Sequence, residues 1–256
     1  MINLTNKTDK AKYLIWLNKK LRILERVYSA KLRGVLRDQF EDAADYFLHG
    51  IGQQSIEDAV NWNKQDLIKV YTEMYENTAS QFYNFTIDRL KGTHPKEKKV
   101  TQEQLMIIMS TWIRKHTARN VQHVQGSTKR IIRSIVDKAV SEGKTNAEIA
   151  KEILKVGSIV EKYRARMIVR TEIHSASIAT IDETMQQSEI GYTKEWLSAL
   201  DERTRADHAF ADGQEVEKDE PFIVGDEKLM VPGDPDGSPE NIINCRCNIL
   251  YNTKKV

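Results

Sequence analysis

The feature that most constrains this 256-residue chain is a change of hydrophobic period about three quarters of the way along it. Up to about residue 187, apolar residues recur at steps of three and four, the spacing of a helix face. Between residues 8 and 47 they fall at Tyr13, Leu14, Trp16, Leu17, Leu21, Leu24, Val27, Tyr28, Leu32, Val35, Leu36 and Phe40. From Thr193 onward the helical period is lost. Short apolar runs alternate with turn signals, the pattern of small strands. The fold class expected is therefore α+β: a mainly helical N-terminal two thirds, then a small, mostly antiparallel sheet packed against one long helix. The expected division is residues 1–157 as a helical arm or bundle and 158–256 as an α+β module.

Within the helical part, the pattern predicts helices over 8–47, 64–91, 101–122 and 125–141. A further helix follows a Thr145 N-cap, with Glu148 three residues on as its capping-box partner. Gly157-Ser158 is expected to end that helix and a new one to run from Val160 to Gln187. His49-Gly50-Ile51-Gly52 breaks the first pattern, and Ser55-Ile56-Glu57-Asp58 resembles a helix start. Tyr71, Met74, Tyr75, Phe82, Tyr83 and Phe85 lie in a locally acidic stretch, so core packing is expected of them rather than base stacking. Gly143-Lys144-Thr145 is not a phosphate loop: the glycine five residues earlier is replaced by Lys138, and no strand precedes it.

After Thr193, Trp196 and Leu200 read as strand. Asp201 to Phe210 reads as a short helix with Asp201 as N-cap, and Asp212-Gly213 as a turn. Phe222–Val224 and Leu229–Val231 read as a hairpin, and Cys245–Tyr251 as a final strand. Ser175, Ala176, Ser177 and Ala179 form a small-residue face that lets another backbone come close. Arg170 and Glu172, two apart on a helix, do not face each other, so each needs a partner elsewhere.

Charge is distributed unevenly. Residues 1–40 hold ten Lys/Arg against three Asp/Glu, whereas residues 191–256 hold eight against fourteen. Lys19, Lys20, Arg22, Arg26, Lys31, Arg33 and Arg37 thread the first helix. They suit either a solvated bundle face or sequence-independent contact with DNA phosphates. No run reaches membrane-spanning length, and the first twenty residues do not read as a secretory signal. Two cysteines are too few for a disulfide framework.

The last third carries Arg170-Thr171-Glu172 on its small-residue helix, then Trp196 and Asp201-Glu202-Arg203-Thr204-Arg205. His208, Asp212-Gly213, Pro232-Gly233-Asp234 and Asn244-Cys245-Arg246-Cys247 follow. In this order, over about Val160 to Tyr251, the set resembles the phage head-morphogenesis family. This is the minor capsid family named for phage Mu protein F and the related SPP1 head protein. The resemblance implies a minor head protein of a tailed phage or prophage. It would be located in the virion, in the head interior or at the portal vertex, after assembly in the host cytoplasm. The implied partners are the portal protein, scaffold or major capsid protein, and double-stranded DNA without sequence preference. The role implied is structural, in head assembly, DNA packaging or DNA delivery. The enzymatic toxin domain that some relatives append is not found after Tyr251, so no catalysis is expected.

The residues also admit chemical readings. Cys245 and Cys247 on one face of a strand, with His208, would supply three ligands of a structural zinc site. The fourth would come from Asp201, His174 or Asp212. Alternatively His208 bonds a backbone carbonyl, the cysteines are small buried residues, and Arg203, Arg205 and Arg246 pair with Glu172 and Asp201. A hydrolase or transferase using Glu172, Asp201, His208 and Cys245 is the competing class.

Overall fold

In the computed structural model, the structure describes residues 2–4, 7–49, 60, 61, 63–199 and 201–253. Four long helices come first: α1 (Lys7–Leu48), α2 (Lys64–Thr93), α3 (Gln102–Ser141) and α4 (Asn146–Gln186). Then follow β1 (Tyr192–Leu197), α5 (Ala206–Phe210), β2 (Glu215–Glu217), β3 (Phe222–Val224), β4 (Glu227–Leu229), α6 (Pro239–Ile242) and β5 (Asn248–Thr253). The α+β class read from the sequence is the class observed. No helix among the described residues is long and apolar enough to cross a membrane.

Capping explains where two helices begin. Thr101 accepts from the Gln104 amide at 3.2 Å while the Gln104 side chain takes the Thr101 N–H at 3.0 Å. Thr145 and Glu148 make the same reciprocal pair, with the Thr145 N–H donating to Glu148 at 2.8 Å. Each box satisfies amides that the first helical turn leaves without intrahelical acceptors.

Two expected helix boundaries are absent. α3 runs unbroken through Gln125–Thr128, where a new helix start was expected. The Ser127 and Thr128 hydroxyls there bond back to the Val124 carbonyl, so their polarity is satisfied within the helix. α4 runs through Gly157-Ser158, the expected stop and domain boundary, and Ser158 bonds back to Lys155 in the same way. α1 ends at Leu48; Gly50–Gly52 and the start at Ser55–Asp58 lie outside the described residues, as does Leu200.

The chain forms two compact units that interleave in sequence. One comprises residues 26–74 and 111–169, the other 1–25, 75–110 and 170–256. The core of the first is built from Phe40, Ala43, Ala44 and Phe47 of α1, Ile132, Val136 and Ala139 of α3, and Ile149, Ala150 and Ile153 of α4. Arg33 pairs with the buried Glu161 at 2.9 Å in this unit. Gly157 packs directly on Phe40 there, with a Cβ position only 2.7 Å from the Phe40 side-chain carbons.

The second unit holds the sheet. Its strand order is β2-β1-β5, all antiparallel, and Ile2 adds a parallel bridge to Tyr251. β3 and β4 form a separate hairpin, tighter than the sequence suggested. Val224 pairs Glu227, leaving a two-residue turn whose Gly225 has φ +59°. A positive φ costs glycine nothing, so the turn closes two residues earlier. The sheet is tied to α4 by Tyr251, whose hydroxyl donates to Asp182 at 3.0 Å. Buried Lys194 donates to the Met230 carbonyl at 3.0 Å and lies over the Phe222 ring, joining β1 to the segment after the hairpin.

The glycines in the two long helices give a test by differential scanning calorimetry. A Cβ at Gly126 would meet no heavy atom within 4 Å, so Gly126→Ala stabilises by about 0.5–1 kcal/mol from helix propensity alone. Gly157→Ala should destabilise despite the same propensity gain, because its methyl group overpacks Phe40 by about 1–3 kcal/mol.

Candidate functional site

The motif residues converge around one face of α4. From Thr171 to Met185 almost every position is buried, including Ser175, Ser177, Thr180 and Thr184. Ser177, Thr180 and Thr184 donate back to helix carbonyls three or four residues earlier, which keeps their hydroxyls satisfied inside the core. Thr171, His174 and Ser175 instead reach outward, at the i, i+3, i+4 spacing that stacks side chains on one face. The Thr171 hydroxyl accepts the Asn244 N–H at 3.0 Å. His174 Nε2 donates to the Cys247 carbonyl at 2.7 Å, and Ser175 donates to the Gly233 carbonyl at 2.8 Å. Three side chains of one helix thus hold the loop that leads into β5.

That loop needs two unusual backbone positions. Gly233 has φ +74°, and a Cβ there would lie 2.8 Å from His174 Nδ1. Asn244 has φ 56°, a left-handed value that asparagine tolerates better than most residues. Cys245 follows at once, its N–H bonded to the Ile242 carbonyl. The cysteines therefore lie in the run-in to β5, not within a strand as expected. The kink at Asn244 brings the two sulfurs together in place of strand alternation.

His208 on α5 faces both. Its Nδ1 is 3.2 Å from Cys247 Sγ and 3.7 Å from Cys245 Sγ, and its Nε2 is 3.1 Å from Asn241 Oδ1. All three side chains are buried and the cysteines are free thiols. Trp196, fully buried in β1, stands edge-on to His208 at 5.6 Å and to Phe222 at 5.4 Å. A hydrogen bond from the Cys247 thiol holds Cys245 well below the usual thiol range against the opposing effect of burial, with His208 adding to the effect. The same bond, with burial, pushes Cys247 up. Burial pulls His208 down, but its bond to Cys245 and that residue's charge leave it raised overall.

The remaining motif residues build the frame. Asp201 is not the N-cap of α5, which begins at Ala206. Its carboxylate instead closes its own turn, accepting from the Arg203 N–H at 3.0 Å, and takes both Arg246 guanidinium nitrogens, one at 2.6 Å. Those bonds hold its carboxyl well below the usual carboxylate range. Arg203 is 3.9 Å from the same carboxylate. Arg205 donates to the Ile243 carbonyl at 2.5 Å, not to Glu172. Asp212 accepts the Ser198 N–H at 2.8 Å, and Gly213, with φ +77°, donates to the Trp196 carbonyl at 2.8 Å. Arg170 forks onto Glu25 at 2.8 and 3.3 Å, and Glu172 accepts the Tyr75 hydroxyl at 2.6 Å. The structure brings His208, Cys245 and Cys247 together. It places Glu172, Asp201, Asp212 and His174 in other bonds. Asn241 was not singled out from the sequence; Ser238-Pro239, a helix-start signal just before it, was the available cue.

Residues 130–250 match the family model described as Phage Mu protein F like protein. Over those residues the chain is similar to the Mu F-like family. It is similar to the Minor head protein GP7 of Bacillus phage SPP1, 35% identical over 92 residues, which is 34% of this chain and 29% of that protein. It is also similar to the NAD(+)--arginine ADP-ribosyltransferase EFV of Enterococcus faecalis, 32% identical over 112 residues, 43% of this chain and 23% of that protein. A third relative is the uncharacterized protein YqbB of Bacillus subtilis, 26% identical over 140 residues, 53% of this chain and 46% of that protein. The chain spans less than half the length of each of these relatives. No solved structure matches. The Mu F-like match takes in the α4 face, Trp196, His208 and the cysteine run-in.

Gly233 tests the frame. Gly233→Ala must adopt a left-handed backbone and displace His174, and it should destabilise the chain by about 1–3 kcal/mol in urea titration. Gly191→Ala, with open space around it and no positive φ, should be near neutral.

Proposed function

We propose that this chain is a minor head protein that acts structurally at or near the portal vertex of a tailed phage or prophage, in head assembly, DNA packaging or DNA delivery. The observation that carries the reading is the Mu F-like match over residues 130–250, together with similarity to a protein named as a minor head protein. The geometry agrees with a structural role. The acidic residues that an acid–base mechanism would recruit are committed: Glu172 to Tyr75 and Asp201 to Arg246. The likeness to the ADP-ribosyltransferase covers 23% of that enzyme.

DNA contact, where it occurs, falls to part of the basic set on α1. All seven residues are exposed. Lys31 is paired with Glu73 at 2.5 Å, Arg33 with Glu161 at 2.9 Å, and Arg37 with Asp38 and Glu41 at 3.5 Å. Lys19, Lys20, Arg22 and Arg26 have no ion-pair partner among the described residues. Phosphate binding by those four gives a log–log salt dependence no steeper than about 4. Reversing Lys19, Lys20 and Arg22 to Glu should abolish a mobility shift with double-stranded DNA that Lys31→Glu leaves largely in place.

The assembly role is tested by counting this polypeptide in purified DNA-filled particles by quantitative mass spectrometry against portal and major capsid subunits. A few copies per particle, enriched with the portal on partial disassembly, is the expected outcome. Absence from the particles, with abundant protein in the host cytosol, would overturn a virion role.

A further inference from the structure

An assembly role does not use the chemistry buried beside Trp196. His208, Cys245 and Cys247 each aim one ligand atom at a common point, all within 4.8 Å of one another. A tetrahedral zinc ion with Zn–S near 2.3 Å and Zn–N near 2.0–2.1 Å sets nitrogen–sulfur edges of about 3.6 Å. The observed edges are 3.2 and 3.7 Å. Two thiolates and an imidazole form a donor set that favours zinc over hard cations such as magnesium or calcium.

The surroundings settle which nitrogen is free to bind. Asn241 Oδ1 faces His208 Nε2 at 3.1 Å, and an amide oxygen only accepts, so Nε2 carries the proton it donates. The Nδ1 lone pair is left pointing at the sulfurs, as a metal ligand requires. On the other side, the Trp196 indole N–H is buried with no acceptor among the described residues. A metal-bound sulfur keeps its negative charge and can accept from such a donor.

We propose that His208 Nδ1, Cys245 Sγ and Cys247 Sγ bind one Zn2+, with Asn241 as the positioning residue that fixes the histidine tautomer. The three expected candidates for the fourth position are engaged elsewhere: His174 on the Cys247 carbonyl, Asp201 on Arg246 and Asp212 on the Ser198 amide. The ion joins α5 to the run-in of β5, a segment of loop with little apolar core of its own, where a metal contributes directly to folding. The site stands independently of the assembly role.

The test uses the full chain, purified under reducing conditions without chelator. Elemental analysis should find about one zinc per chain. Metal-free protein reloaded with Co2+ should show a near-ultraviolet thiolate-to-cobalt charge-transfer band and the intense visible bands of tetrahedral cobalt. X-ray absorption at the zinc edge should give two sulfur and two nitrogen or oxygen scatterers. Asn241→Ala should keep the cobalt bands but weaken zinc about 10–100-fold in a chelator competition. The Cys245→Ser/Cys247→Ser double variant should lose the charge-transfer band. Folded wild-type protein that retains no zinc and gives no such band would overturn the site, whatever the variants do. Three or more sulfur scatterers would overturn the ligand set. Unchanged affinity in Asn241→Ala would overturn the positioning role.

Discussion

The buried polar face of α4 is the interaction on which the C-terminal module depends. A helix that packs against a sheet usually offers aliphatic side chains. α4 offers serines, threonines and a histidine over the same stretch, and nearly all are buried. Burying hydroxyls without partners costs about 1–3 kcal/mol each. Here those facing into the helix bond back to their own carbonyls, and those facing out hold carbonyls and amides of the 231–247 loop. The small side chains allow close approach, and the hydroxyls turn that approach into a defined register. A Leu or Ile face would have packed more area but could not have fixed where an irregular loop sits.

That register places chemistry. Once Gly233 and Asn244 carry the loop through its left-handed positions, Cys245 and Cys247 arrive beside His208, and the strand β5 starts in pairing with β1. The strand is then anchored from α4 through Tyr251 and Asp182. The other compact unit is organised differently. Its core is aliphatic, aromatic and alanine-rich, built from α1, α3 and α4, and its close contact is Gly157 on Phe40. The two units use the same four helices for different tasks: apolar interdigitation in one, polar latching in the other.

Much of this was legible from the sequence, and the illegible parts share a cause. The helical period, the Thr145–Glu148 box and the Asp212-Gly213 turn are local signals, and local signals survive in a single sequence. The resemblance to the Mu F-like family rested instead on several separated short motifs in a fixed order, from Arg170 to Cys247. Gly126 and Gly157 misled because glycine reports a weak helix, not an absent one: here the surrounding helix outweighs about 1 kcal/mol of propensity. Asp201 reads as a helix cap, but Arg246, 45 residues away, supplies a stronger partner. The Arg170–Glu25 fork spans 145 residues, which no local pattern encodes. The histidine and cysteines were visible as a group, but the reason they converge was not. It lies in a kink at Asn244, where strand alternation had been expected. Asn241 was invisible because its bond is to the ring of another side chain, 33 residues away in the chain.

The claim that α4 latches the loop and thereby builds the centre is tested most directly by hydrogen exchange on His174→Ala in the full chain. This change removes the bond to the Cys247 carbonyl and leaves the apolar contacts of α4 largely in place. The account predicts faster exchange in peptides covering residues 231–253, with peptides from 130–155 unchanged. Unaltered protection across 231–253 would contradict it, and would mean that the loop is held by its own turns and not by the helix.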